Sequence, residues 1–210
     1  MNNETTPLSD PVLATVEIDG ISRSSFILKG ALAAGAVYGA STVAPFVGQA
    51  FAQEGGDVEI LNFALTLEYL EADFYDKALT KAGLRGELKK MAQQFGDAEQ
   101  AHVDALTATI KDLGGTPVKS PRFSFPVTDE ASFLKLAVTL EDTGVSAYNG
   151  AAPAIKSAKV LGAAGSIVQI EARHAAAVRQ QSDMAPAPDA FDKTLRMKQV
   201  LSAVKPLIRA

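Results

Sequence analysis

Beyond residue 56, apolar side chains recur every three or four positions, the spacing that lines one face of an α-helix. Leu61, Leu65, Glu68, Ala72, Tyr75 and Leu79 follow one another at intervals of 4, 3, 4, 3 and 4. They predict a helix from an N-cap at Asp57 to about Ala82, stopped by Gly83. A second stripe (Leu88, Ala92, Phe95, Glu99, His102, Leu106, Thr109, Leu113) predicts a helix from about Gly86 to Leu113, ended by Gly114-Gly115. A third, from near Asp129 to near Gly150, carries Leu134, Val138, Glu141, Gly144 or Val145, and Tyr148. A fourth covers about Gly162–Ser182 with Ala164, Ile167, Glu171, His174 and Val178. Residues 151–161 contain Pro153 and read as a linker with a short helical piece. A tail from about residue 183 opens with Pro186-Ala187-Pro188 and ends in a short helix near Met197–Val204. Alternation at period two is missing throughout, so no strand is predicted.

Four amphipathic helices bury their stripes against one another, which predicts an all-α four-helix bundle. The connections within helices 1–2 and 3–4 are short, so each pair forms an antiparallel hairpin. The 2–3 connection, residues 114–128, can reach about 50 Å when extended, enough to cross the bundle from end to end. Its Phe123-Ser124-Phe125-Pro126 segment reads as a crossover pinned by its aromatics.

Composition narrows the chemistry. The 210 residues are 47% hydrophobic and 21% charged, with a formal charge of −4 and no Cys. Thiolate metal sites, iron–sulfur clusters and disulfides are excluded, so any metal must be held by carboxylate, imidazole or backbone oxygen. The mild acidity gives no reason to expect nucleic acid as a partner.

The first 52 residues are of a different kind. A polar stretch leads to Ser22-Arg23-Ser24-Ser25-Phe26-Ile27-Leu28-Lys29, then to an Ala/Gly-rich run that closes with Ala50-Phe51-Ala52 before Gln53. This reads as an export signal cleaved near Ala52-Gln53, leaving residues 53–210 as the mature domain. The order resembles a twin-arginine signal in which Ser24 stands where the second arginine belongs. Four glycines and Pro45 dilute the run below what a stable membrane span needs, so the expected location is periplasmic or otherwise extracytoplasmic.

Charged residues interrupt stripes that should face inward: Glu68, Glu99, His102, Glu141, Glu171 and His174. A buried carboxylate is protonated, paired or metal-bound, and the stripes offer no Lys or Arg as a partner. Both histidines of the chain close a Glu-x-x-His, Glu99–His102 and Glu171–His174. At that spacing the two side chains lie about 60° apart around the helix, one turn apart, and can hold one metal ion together. With 11 glutamates in 210 positions, both histidines would have Glu three residues back by chance only about 0.3% of the time. The chain also repeats: Thr66-Leu67-Glu68 with Tyr75 matches Thr139-Leu140-Glu141 with Tyr148, and the two Glu-x-x-His motifs are offset almost equally. Two hairpins with one inventory predict a pseudo-twofold bundle with six ligands around two metal positions. Four carboxylates and two divalent ions form a neutral buried cluster.

This pattern resembles the ferritin-like superfamily, in which two helices each give one Glu and the other two each give Glu-x-x-His. The stretch Leu67 to Tyr75, the Glu171-Ala172-Arg173-His174 motif and the Ala190-Phe191-Asp192 tail resemble the exported branch that includes plant desiccation-related proteins. The resemblance implies that Glu68 and Glu141 are terminal or bridging ligands, that Glu99 and Glu171 bridge or chelate, and that His102 and His174 each complete one ion. It implies iron more than manganese, zinc less, with oxygen or peroxide as the reactant, in oxidative-stress protection; a metal-binding or structural stress protein without turnover is the alternative. Many redox-active members carry Asp directly before the last motif's Glu. Here Ile170 stands there, so orientation of a histidine falls to another group. Glu71 lies about 60° from Glu68 and faces Gly144 in the repeat, which assigns it to the surface or to the surroundings of the ligands. Tyr75 and Tyr148 read as packed core tyrosines with bonded hydroxyls. Nothing in the sequence indicates how subunits would meet in an oligomer.

Overall fold

The structure, a computed structural model, describes residues 56–209. The predicted export signal and its cleavage point lie outside the described residues. Among these there are five α-helices: α1 (Asp57–Lys81), α2 (Gly86–Asp112), α3 (Glu130–Ala151), α4 (Ala158–Gln181) and α5 (Met197–Val204). The fold is the all-α bundle the stripes require.

Local chemistry explains most of the boundaries. Gly83 and Gly114, at φ +65° and +74°, take the left-handed turn that ends α1 and α2. Asp129 caps α3 in a reciprocal box, accepting from the Ser132 N–H at 2.8 Å while Ser132 Oγ accepts from the Asp129 N–H at 3.0 Å. Two predicted starts are corrected. The N-cap of α1 is Gly56; Asp57 is the first helical residue, and its carboxylate accepts instead from the backbone N–H groups of Lys156 and Ser157, both at 2.8 Å. That side chain therefore fastens the start of α1 to the start of α4. Helix α4 begins at Ala158 rather than near Gly162, because Ser157 caps it and Val160, fully buried, anchors its first turn. The linker's helical piece is a 3₁₀ turn, Ala152–Ala154.

The predicted stripes of α1 and α4 face the interior, with Leu79 and Ala72 half-buried at the margin. Two others are displaced. Toward its C-terminus α2 buries Val103, Leu106 and Ile110 and leaves Leu113 43% exposed. In α3 the buried line is Phe133, Ala137, Leu140, Gly144 and Tyr148, with Leu134 and Val138 only half-buried.

The crossover lies against α1. Asn62 bonds both sides of it, donating to Thr116 O at 3.1 Å and accepting from Val118 N at 2.7 Å. Phe123 and Phe125 are buried, and the Phe125 ring meets Phe74 edge-on at 5.4 Å. The absence of strand is corrected in a small way: Arg122–Phe123 (β1) pairs antiparallel with Ile208–Arg209 (β2). The tail returns over α3 so closely that a Cβ on Gly150 would sit 2.1 Å from Leu195 O. Val200 and Val204 of α5 then join the core.

Two apolar clusters divide the bundle. One contains Phe74, Ala92, Phe95, Phe133, Ala137, Leu140 and Val178. The other contains Leu61, Leu65, Val103, Leu106, Ile110, Val160, Ala164 and Ile167. On the four long helices the buried glutamates and the histidines fall where the two clusters meet. In this arrangement α1 and α4 run one way and α2 and α3 the other, as an end-to-end crossover demands.

Candidate metal centre

All six predicted residues lie in that polar belt. Glu68, Glu99, Glu141 and Glu171 are each 0% exposed and His174 is 5% exposed. The His102 side chain, at 12%, is the member nearest solvent. Both imidazoles turn Nδ1 inward. His102 Nδ1 lies 2.8 Å from Glu99 Oε2, 3.1 Å from Glu68 Oε2 and 3.3 Å from Glu171 Oε1. His174 Nδ1 lies 2.7 Å from Glu99 Oε1 and 3.6 Å from Glu141 Oε2. Glu99 thus faces both histidines, one with each oxygen.

The packing between atoms is tight, yet much of it is not hydrogen bonding. His174 Nδ1, Glu99 Oε1, Glu141 Oε2 and Glu171 Oε1 meet only in ion-pair contacts that lack hydrogen-bond geometry, and Glu171 Oε2 is buried with no hydrogen-bond partner. Orphaned buried polar atoms are rare and costly. Donor atoms converging this way fit a cation they all face. Glu68, Glu99, His102 and Glu171 each present one such atom within 4.8 Å of the others, and so do Glu99, Glu141 and His174. The buried acidic and imidazole cluster is therefore compatible with metal binding.

The tyrosines are packed in the core with bonded hydroxyls, as the sequence predicts, and their partners are two of the candidate ligands. The Tyr148 hydroxyl donates to Glu68 Oε1 at 2.5 Å, and the Tyr75 hydroxyl donates to Glu141 Oε1. Each tyrosine thus holds the carboxylate of the opposite hairpin. The reach follows from direction: side chains lean toward the N-terminus of their helix, and α1 and α3 run oppositely, so Tyr75 and Glu141 lean toward each other, as do Tyr148 and Glu68. The pseudo-twofold predicted by the repeat is written in this crossed pair. His174 is oriented by Phe95, whose ring stacks on it at 3.8 Å and 19°. The stack fixes the ring plane but, with Ile170 in place of an acidic residue, supplies no hydrogen bond to the ring.

Of the two places predicted for Glu71, the surface is excluded and the surroundings of the ligands hold. The residue is 3% exposed and forms a third convergent set with Glu141 and Glu171. A Cβ on Gly144 would lie 2.8 Å from Glu171 Oε2 and 3.2 Å from Glu71 Oε1. The signal was present in the repeat, where a glycine faces a glutamate, but it marks room for the side chain rather than its absence from the core.

Electrostatics shows the strain of the metal-free cluster. Burial pushes Glu68 up to about 7, against the opposing pull of His102. Burial and the neighbouring carboxylates hold Glu71 and Glu171 well above the usual carboxylate range, and burial raises Glu141. Glu99 goes the other way: although burial favours its neutral form, the two histidines outweigh it and bring it down to about 2. Burial likewise opposes the imidazolium of His102 and His174, but the facing carboxylates raise them to about 12 and about 9.

Comparison with known proteins agrees with this architecture. Residues 56–183 match the ferritin-like domain, and the chain belongs to that family. Protein rds1 of Schizosaccharomyces pombe is 25% identical over 160 residues; the match covers 72% of this chain and 39% of that protein, so the chain spans well under half of its relative's length. Among solved structures, a conserved hypothetical protein, rv2844, from Mycobacterium tuberculosis superposes with a TM-score of 0.56 at 18% identity. The superposition covers 61% of this chain and 99% of that one, and shows the shared fold. No helix among the described residues is long and apolar enough to cross a membrane.

Proposed function

We propose that the chain is an exported protein that binds a carboxylate-bridged pair of divalent metal ions and acts in iron(II), oxygen or peroxide chemistry, as a safeguard against oxidative stress. The observation that carries this reading is the set of buried carboxylate oxygens and imidazole nitrogens that converge on a common centre from four helices. Glu68, Glu99, His102 and Glu171 would hold one ion, and Glu99, Glu141 and His174 the other. Carboxylate-rich donors with one imidazole per ion suit iron or manganese better than zinc, and the family resemblance favours iron. Bound there, such a pair supplies one-electron steps toward oxygen or peroxide.

The chain's own groups set the conditions. Tyr75 and Tyr148 fix one oxygen of Glu141 and Glu68, and the other oxygen of each faces a histidine. Phe95 holds the His174 ring plane. The apolar clusters on either side keep bulk water from the centre. Export rests on the leader-like composition of residues 1–52, with the signal removed near Ala52-Gln53.

A second reading, metal binding without turnover in a structural stress protein, has Ile170 and the apolar Phe95 stack in its favour, since no acidic group tunes His174 from behind. Metal analysis of protein purified from its native compartment tests binding and identity together. Consumption of oxygen or peroxide over many cycles by the loaded protein supports catalysis. Stoichiometric binding without consumption supports the second reading, and metal-free protein that takes up neither iron nor manganese refutes both.

A further inference from the structure

The six-ligand reading leaves Glu71 unexplained. It sits one turn past Glu68 on α1, 3% exposed, with Oε2 lacking any hydrogen-bond partner. Its carboxylate converges with those of Glu141 and Glu171, one oxygen from each lying within 4.8 Å of the others. Glu171 Oε2 also has no hydrogen-bond partner, while Glu171 Oε1 and Glu141 Oε2 face the histidines at 3.3 and 3.6 Å. Room for this arrangement comes from across the bundle: with any side chain at Gly144, a Cβ would press on Glu171 Oε2 at 2.8 Å and on Glu71 Oε1 at 3.2 Å. Glu71 and Gly144 occupy equivalent positions of the repeat. One half gains a carboxylate where the other gives up its side chain.

We propose that Glu71, Glu141 and Glu171 form a third cation position beside the two that contain histidine, built only of carboxylates. The inference rests on the metal-binding reading of the other six residues. The three sets share one glutamate along each side: Glu99 joins the first two, Glu171 joins the first and third, and Glu141 joins the second and third. With Glu71 included, five buried carboxylates exceed the charge of two divalent ions by one, which leaves negative charge beside Glu71 for a further cation to face. An all-oxygen donor set selects a hard divalent ion such as Mn²⁺ over one that prefers nitrogen or sulfur.

Equilibrium dialysis of the metal-free full chain against Mn²⁺, with bound metal counted by elemental analysis, tests this against Glu71→Gln. The variant keeps the shape of the side chain and removes one of several crowded negative charges, and circular dichroism checks its helicity. The expected result is the loss of one Mn²⁺ equivalent in the variant, about three falling to about two. Manganese-edge anomalous scattering should show a peak beside Glu71 that the variant lacks. Gly144→Ala, which crowds the same position from the other side, should lose the same ion. Equal stoichiometry in wild type and Glu71→Gln overturns the third position and leaves the paired centre standing. No bound Mn²⁺ in either chain overturns the paired centre as well, and this inference with it.

Discussion

Glu99 is the residue on which the two halves of the centre meet, and Glu99→Gln separates its electrostatic role from its role toward metal. The substitution preserves volume and removes the charge that lies 2.8 Å from His102 Nδ1 and 2.7 Å from His174 Nδ1. In the metal-free protein Glu99 is lowered from 4.5 to about 2. A depressed carboxylate stabilises the fold above its unfolded pKa and loses that contribution as pH falls toward its folded one. At neutral pH the contribution is on the order of 3 kcal/mol, near the low end of the ~3–5 kcal/mol for breaking a buried pair. For a domain of this size that lowers Tm by roughly 6–12 °C. Metal acts on top of this. Free Mn²⁺ at a hundred times its Kd stabilises a native-state binder by about 2.7 kcal/mol per site, and Glu99 belongs to both histidine-containing sets. The wild type should therefore show a Tm increase of at least several degrees on loading, and Glu99→Gln should show little or none. Thermal melts followed by far-UV circular dichroism, with and without Mn²⁺, measure both effects. A variant that melts no lower than wild type without metal would refute the electrostatic account. An undiminished metal-induced rise would show that Glu99 is not a shared ligand.

The pH dependence should change sign with metal. His174, raised from 6.5 to about 9, stabilises the metal-free fold fully below 6.5 and loses that contribution as pH rises through 9; Glu68, raised from 4.5 to about 7, favours the folded state less as pH climbs through that window. Metal-free Tm should fall between about pH 6 and 9, whereas the Mn²⁺-induced rise should grow over that range, because the ligands must shed protons to bind; parallel melts at several pH values decide. Tyr148→Phe leaves Glu68 Oε1 buried without its donor and should cost about 1.5–3 kcal/mol in urea unfolding, with Tyr75→Phe similar at Glu141; no loss in either would mean these hydroxyls do not support the carboxylates. Gly150→Ala places a Cβ against the Leu195 carbonyl and should lift the tail, seen as faster proteolysis between residues 183 and 196 while the helicity of the bundle stays nearly unchanged. Unaltered proteolysis would contradict that close approach.

Periodicity alone was enough to place four long helices, their glycine stops and the short α5, because burial of a stripe is a property each helix carries in its own sequence. The same patterning made the six polar intruders visible, since a charge in an apolar stripe stands out wherever the partner helices lie. Which face of α3 turns fully inward was not decided there: Phe133 and Ala137 displace Leu134 and Val138 from the centre of the core only because α1 and α4 are where they are. The two-residue ladder of β1 with β2 is too short to leave an alternation and joins segments far apart in the chain. Asp57 shows the same limit. Its carboxylate has the chemistry of a cap, and only the nearness of Lys156 and Ser157 turns it from its own helix to another. Tyr75 and Tyr148 find their carboxylates through the opposed directions of α1 and α3, and Glu71 finds its place through the missing side chain of Gly144. Local sequence determined what each helix would bury and which side chains had chemistry to offer; the assembled bundle decided which of them meet, because hydrogen bonds and ion sites depend on ångström distances between segments that the chain brings together only when it folds.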